Sequence, residues 1–235
     1  MKDVLFILVI YRKSLFDSTA YQSLKNLLNE DILSDCLYVH DNTHDNQYLA
    51  SAYNQGANVA RERGKEWIIL LDDDSNITED YLNKLQEYIS DKKHQVVAPI
   101  LTHKSKKISP TSKYGITVVF NSGMAIRLNT LQQIGGFCTR YPLDYLDYYT
   151  CWQLHKHNIP ITIMDVVLPH QLSIEDYNQV TLKRYTSILH AEKQFAYDTE
   201  HLLEYRLQII ARAIKWLITG HKFSWKTIKY LLNKD

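Results

Sequence analysis

The sequence predicts an α/β fold: a mixed, mostly parallel central sheet flanked by helices, followed by a helical C-terminal tail. Three observations carry this expectation. Continuous apolar, β-branched runs alternate with amphipathic segments through the first hundred residues, the third of these runs stops abruptly at a cluster of acids, and the chain from about Val180 reads as helix.

Taken in order, Val4–Ile10 is apolar at every position, as expected of a strand buried on both faces. Tyr21, Leu24, Leu27, Leu28 and Ile32 follow at helical spacing, and Cys36–His40 forms a second short strand. The polar loop 41–46 leads into a helix over Tyr48–Arg63, and Trp67–Leu71 is a third strand ending at Asp72-Asp73-Asp74. Thr78 caps a helix whose first turn carries Glu79 and Asp80 and whose apolar face is Leu82, Leu85, Tyr88 and Ile89. Val96–Ile100 is a fourth strand. The pattern then loosens: a basic polar loop over Lys104–Ser112, strands at Ile116–Phe120 and Met124–Leu128, and a short helix near Asn129–Ile134. After Gly135-Gly136 come the acidic, aromatic segment Tyr141–Tyr149, a helix to His157 and a strand at Ile161–Val166. This reading divides the chain into an α/β body, 1–179, and a helical, basic and amphipathic extension, 180–235.

With 235 residues, 45% hydrophobic and 23% charged, the chain can bury a sizeable core. Seven Gly and five Pro, scattered without repeats, exclude low-complexity and solenoid designs. Cys36, Cys138 and Cys151 have no metal-type spacing and lie in apolar surroundings, which fits buried thiols in a reducing, cytoplasmic compartment. The run Val4 to Tyr11 is one strand long and lacks a cleavage site, so it is not a signal peptide, and no stretch reaches the roughly 18 apolar residues of a membrane span.

In an open α/β sheet, ligands sit beyond the carboxyl ends of the strands. Tyr11, Asp41 and Asp72–Asp74 occupy such positions. Two carboxylates at i, i+2 after a hydrophobic strand can share a hard divalent cation and the oxygens of a diphosphate. The same letters fit a solvated acidic turn, or an aspartyl-phosphate phosphatase with Asp72 as nucleophile, although that element normally follows a first strand and here follows the third. Asp41, in Asp-Asn-Thr, is also a turn former. Asp144 and Asp147, three apart at a helix entrance and on one face, can act on a hydroxyl, or serve only as acids favoured by the helix dipole, while Tyr141, Tyr145 and Tyr148 offer rings for stacking, at least one of them to the core.

Val9-Ile10-Tyr11-Arg12, Val39-His40-Asp41-Asn42, Asn54-Gln55-Gly56, Leu71-Asp72-Asp73-Asp74-Ser75, Ser122-Gly123 and Gly135-Gly136-Phe137, in this order, resemble a family-2 glycosyltransferase of the GT-A fold, within it the rhamnosyltransferase-like branch. The likeness spans about residues 4–172. It implies an inverting, metal-dependent transfer of a sugar from a nucleotide diphosphate, with dTDP-L-rhamnose the first donor and UDP-hexose the second, to a lipid-linked glycan in surface polysaccharide synthesis. It implies donor contacts from Tyr11 and Asp41 (the base), Asn54, Asp72, Asp73 and Ser122. Mn²⁺ or Mg²⁺ would be held by Asp74 with His170, the acceptor by Asp144 and Tyr145, and Asp147 would be the general base. The chain departs from the pattern at Tyr149, where relatives carry an acid, and at Ser173, where they carry a glycine. A catalytically silent nucleotide-sugar-binding protein is a third reading, in which turnover is absent.

Residues 201–235 hold seven Lys/Arg against Glu204 and Asp235, a net +5 in a chain of net +1. Leu203, Leu207, Ile210, Ile214, Leu217 and Ile218 recur at helical spacing, with Trp216, Phe223 and Trp225 nearby. Basic residues alternating with apolar ones point to a peripheral membrane contact rather than nucleic acid; a helix packed back on the body accounts for the same pattern.

Overall fold

A computed structural model of the protein describes residues 1–170 and 180–232. They form two compact units, Met1–Gln171 and Leu172–Asp235. In the first unit a seven-stranded sheet runs β2 (Leu37–Asp41), β1 (Val4–Ile10), β3 (Trp67–Asp72), β8 (Ala125–Arg127), β4 (Val96–His103), β5 (Lys106–Ser109), with β9 (Ile161–Pro169) on the other edge of β4. Strands β2, β1, β3, β4 and β9 point the same way; β8 and β5 oppose them. The sheet is therefore mixed and mostly parallel, as the sequence predicts.

β1 is buried along its whole length because both of its faces are covered. Val4, Phe6, Leu8 and Ile10 join a core with Trp67, Ile69 and Leu71 of β3 and residues of α1 (Thr19–Leu27), α2 (Glu30–Cys36) and α4 (Glu79–Ser90). On the opposite face Ile7 meets α3 (Tyr48–Glu62), where Gly56 permits the approach: a Cβ there would fall 2.6 Å from Ile7 Cδ1. Period-2 alternation along one strand thus feeds two separate helix layers.

Several boundaries differ from those expected. The segment read as one helix over Tyr21 to Ile32 is two, because Leu28 turns extended and the side chain of Asn29 accepts from Ile32 N to start α2. The polar loop 104–112 contains β5 and β6 (Thr111–Lys113): Lys104 and Ser105, both at positive φ, close a two-residue hairpin from β4 to β5, and β6 pairs with β7 (Ile116–Val118). Cys36 and Cys151 are buried and Cys138 half-buried, all three as free thiols. α5 (Leu128–Gln133) and α6 (Leu146–Lys156) complete the unit.

The second unit is helical: α7 (Leu182–Asp198), α8 (Leu202–Ile218) and α9 (Ser224–Leu232). Tyr185 of α7 stacks on Phe223 at 4.4 Å and its hydroxyl lies 2.7 Å from Thr227 Oγ1 of α9. Arg212 of α8 donates twice to the buried carboxylate of Glu192 at 2.8 Å. A buried carboxylate needs such a bidentate partner. Among the described residues no helix is long and apolar enough to cross a membrane.

Candidate active site

The parallel strands deliver their C-terminal ends to one edge of the sheet. Register sets Ile10 beside Asp41 and Val9 beside Asp72, so Tyr11, Asp41 and the three acids leave neighbouring strands in adjacent rows. His170 leaves β9 at the same edge, tied to β4 by its N–H on Thr102 O (2.9 Å) and by His103 Nδ1 against His170 O (3.1 Å). Residues nearly a hundred positions apart meet here because β4 lies between β8 and β9.

Asp72, Asp74 and His170 offer three ligand atoms all within 4.8 Å of one another. Asp74 Oδ1 and His170 Nδ1 face each other at 3.5 Å; both are buried and neither has a hydrogen-bond partner. Two orphaned polar atoms aimed at one point, from a carboxylate and an imidazole, suit a divalent cation. Burial pushes the carboxyls of Asp72 and Asp74 upward, repulsion among the acids adds to this, and His170 opposes it. A cation there would relieve that repulsion.

The middle acid does something else. Asp73 turns to Lys13 Nζ at 3.2 Å, and its carbonyl accepts from Ser18 Oγ and Ala20 N, so the start of α1 buttresses the acidic loop. Ser122 is fully buried with its hydroxyl 2.5 Å from Ser75 Oγ, clipping the acidic loop to the turn before β8. Asn54 is expected among donor contacts, but its carboxamide accepts from Phe137 N at 2.9 Å and donates to Phe137 O at 2.8 Å. It holds the Gly135-Gly136-Phe137 loop against α3. Asp41 is exposed and its Oδ1 accepts from Thr43 N at 2.8 Å, an Asx-type turn; the Thr43 hydroxyl, and then this backbone N–H, lower its pKa. Tyr11 is exposed, with the Arg12 guanidinium 4.8 Å from its ring centre.

Asp147 sits in the first turn of α6, where Oδ1 accepts from Tyr148 N at 2.9 Å. It keeps a rim of solvent contact, yet enough protein surrounds it to push its pKa up to about 7. Burial is the main cause and the charges of Asp72 and Asp144 add to it; backbone N–H groups oppose it. Tyr145, the residue that opens α6, holds φ +64°, a left-handed conformation that costs a bulky side chain energy. Its ring lies 4.7 Å from that of Tyr148. Both rings are partly exposed and Asp144 is half-buried, whereas Tyr141 is core, stacked on Tyr149 at 4.6 Å. Tyr149, standing where an acid was expected, accepts from Gln153 Nε2 at 2.6 Å and from Arg140 at 3.4 Å. Ser173 lies outside the described residues.

Sequence reading missed Tyr53. It is fully buried in α3, its hydroxyl 3.4 Å from Asp72 Oδ1 and its ring 5.3 Å from Phe137. A Tyr one position before Asn54 in an otherwise small-residue helix face was the available signal.

The dTDP-rhamnosyl transferase RfbF of Shigella flexneri is 23% identical over 147 residues, covering 54% of this chain and 50% of that protein. The chain thus matches about half the length of this relative. Two solved structures share the fold: GalNAc-T7 with UDP, GalNAc and Mn²⁺ (TM-score 0.56, 11% identity, 83% of this chain and 48% of that one), and S. aureus TarS (TM-score 0.54, 12% identity, 94% and 44%). Together with the mixed sheet and its acid-bearing edge, they mark the architecture as GT-A. The sequence profile of glycosyl transferase family 2 matches residues 22–151, more than half of the chain, and the protein belongs to that family.

Proposed function

We propose that the protein transfers a hexosyl or deoxyhexosyl residue from a nucleoside diphosphate to a hydroxyl of a lipid-linked glycan, with inversion, at the cytoplasmic face of a membrane during surface polysaccharide synthesis. The observation that carries the reading is Asp147: a carboxyl tuned to about 7, within electrostatic reach of Asp72 and hence of the Asp72, Asp74, His170 trio. A general base is most effective with its pKa near the working pH.

In the reaction the acceptor oxygen forms the new bond to the anomeric carbon as its proton passes to Asp147. The bond from that carbon to the diphosphate breaks, and the electron pair leaves with the nucleoside diphosphate. Mn²⁺ or Mg²⁺ held by Asp72, Asp74 and His170 would supply charge neutralisation for the departing diphosphate. Tyr11 and Asp41 flank the base and Asp73 borders the diphosphate, while Asn54 and Ser122 serve the donor by fixing the loops around it. Tyr145 and Asp144 orient the acceptor. The donor order, dTDP-L-rhamnose before UDP-hexose, is supported by the rhamnosyl transferase likeness; UDP in the GalNAc-T7 structure supports the second choice.

Calorimetric titration with UDP, dTDP, GDP and ADP, with and without Mn²⁺, tests this. Metal-dependent binding of UDP or dTDP, lost in Asp74→Asn, is expected, followed by sugar transfer that Asp147→Asn lacks. No nucleotide binding by folded protein with metal present would sink the reading and favour a phosphatase using Asp72; binding without turnover would leave only a nucleotide-sugar-binding protein.

A further inference from the structure

Helix α8 is apolar on two opposite faces. Tyr205, Ile209 and Ala213 are buried, and Arg212 beside them is anchored on Glu192. On the other side Leu203, Leu207, Ile210, Ile214, Leu217 and Ile218 are 45–80% exposed. At 3.6 residues per turn these six fall within an arc of about 100°, centred roughly opposite the buried face. The stripe read from the sequence is therefore the outward face, and the contact that fixes α8 in its unit uses different residues. Six large aliphatic side chains in one exposed row exceed the scattered apolar exposure of ordinary surfaces and call for an occupant.

We propose that this face docks on an anionic lipid surface, α8 lying in the plane of the interface. Charge selects this occupant. Between residues 202 and 232 there are six Lys/Arg and a single acid, Glu204. By helical position Arg206 and Lys215, both exposed, fall on either side of the apolar arc, where they reach headgroups as the aliphatic row enters the acyl boundary. Trp225 of α9 is 75% exposed, a ring suited to the headgroup layer, and exposed Lys229 follows one turn later on the same face of that helix. The four-three spacing of the row also fits a second helix. Two copies meeting row to row, however, would set Arg206 and Lys215 of one α8 against those of the other, with Glu204 the single acid of that helix to answer them, whereas an anionic bilayer is complementary along the whole row. The inference deepens the proposed function, and rests on it only in giving docking a use: a lipid-linked acceptor lies at such a surface.

The test is flotation of the full chain with vesicles of phosphatidylcholine alone or with about 30% phosphatidylglycerol, at about 0.1 and 0.5 M NaCl, alongside Leu207→Gln/Ile214→Gln and Arg206→Gln/Lys215→Gln. Binding is expected to the anionic vesicles, reduced several-fold by high salt and by the charge variant. The aliphatic variant should lose about tenfold or more while keeping its far-UV helix signal. Asp74→Asn, defective in nucleotide binding, should float as the wild type does, which separates failure of docking from failure of the transferase reading. Vesicle binding unchanged in the aliphatic variant, or no preference for anionic lipid, overturns the proposal. So does a concentration-dependent dimer in light scattering that the aliphatic variant abolishes while no vesicles are bound.

Discussion

At the scale of single residues, the general-base role proposed for Asp147 would couple catalysis to stability. Its ordinary carboxylate value is 3.8 and the folded protein raises it to about 7. Between those values the folded state holds a proton that the unfolded chain has released, so stability is fully present at low pH and falls as pH rises through the window. In the proposed role activity would run the other way, because only the ionised form can take a proton from an acceptor. We expect kcat/KM to rise about tenfold per pH unit below about 7 and to level off above it. Asp147→Asn should lower turnover by about 10²–10⁴-fold while leaving nucleotide binding near the wild-type level. The same variant should melt higher than the wild type at pH 8, by about 2–4 °C for each kcal/mol of relieved burial, and close to it at pH 4, as calorimetry will read. A merely capping acid would show the opposite: loss of stability without loss of turnover.

At the scale of elements, the site depends on how closely α3 lies on β1 and on the loop it grips. Gly56 has no room for a methyl group, since three atoms of Ile7 lie within 2.8 Å of where it would go. Gly56→Ala should therefore displace α3 and destabilise the fold by about 1–3 kcal/mol, as denaturant unfolding can measure. The displacement should also weaken nucleotide binding, because the same helix carries Tyr53 against Asp72 and Asn54 against Phe137. Gly136 is constrained for a second reason: it holds φ +80°, and a Cβ would sit 3.0 Å from Asn54 Oδ1. The landmark Gly135-Gly136-Phe137 thus includes a backbone device for bringing a loop onto α3, Gly136 leaving room for the Asn54 carboxamide that grips Phe137.

At the scale of the whole molecule, ligand binding should register as stability. Saturating the site with Mn²⁺ and its nucleoside diphosphate at about 100 times Kd adds about 2.7 kcal/mol, or about 5–10 °C in Tm for a chain of this size. Asp74→Asn should abolish the shift without lowering the ligand-free Tm, since the carboxyl it replaces is already raised by burial and by neighbouring acids. What the sequence by itself determined was the arrangement: β1, β3 and β4 are apolar enough to be read directly, and parallel strands must end at one edge, so Tyr11, Asp41 and Asp72–Asp74 had to gather there. Single-residue roles were not legible in the same way. Asn54 and Ser122 have letters suited to donor contacts, yet their polar atoms are engaged by Phe137 and Ser75, partners distant in sequence. Apolar periodicity in α8 marked a stripe but not its side, because a helix with two apolar faces looks the same from sequence whichever one is buried. Only the tertiary structure decided those roles, as it decided the raised pKa of Asp147: desolvation, orphaned ligand atoms and shared hydrogen bonds arise from what surrounds a side chain in space, which local pattern does not encode.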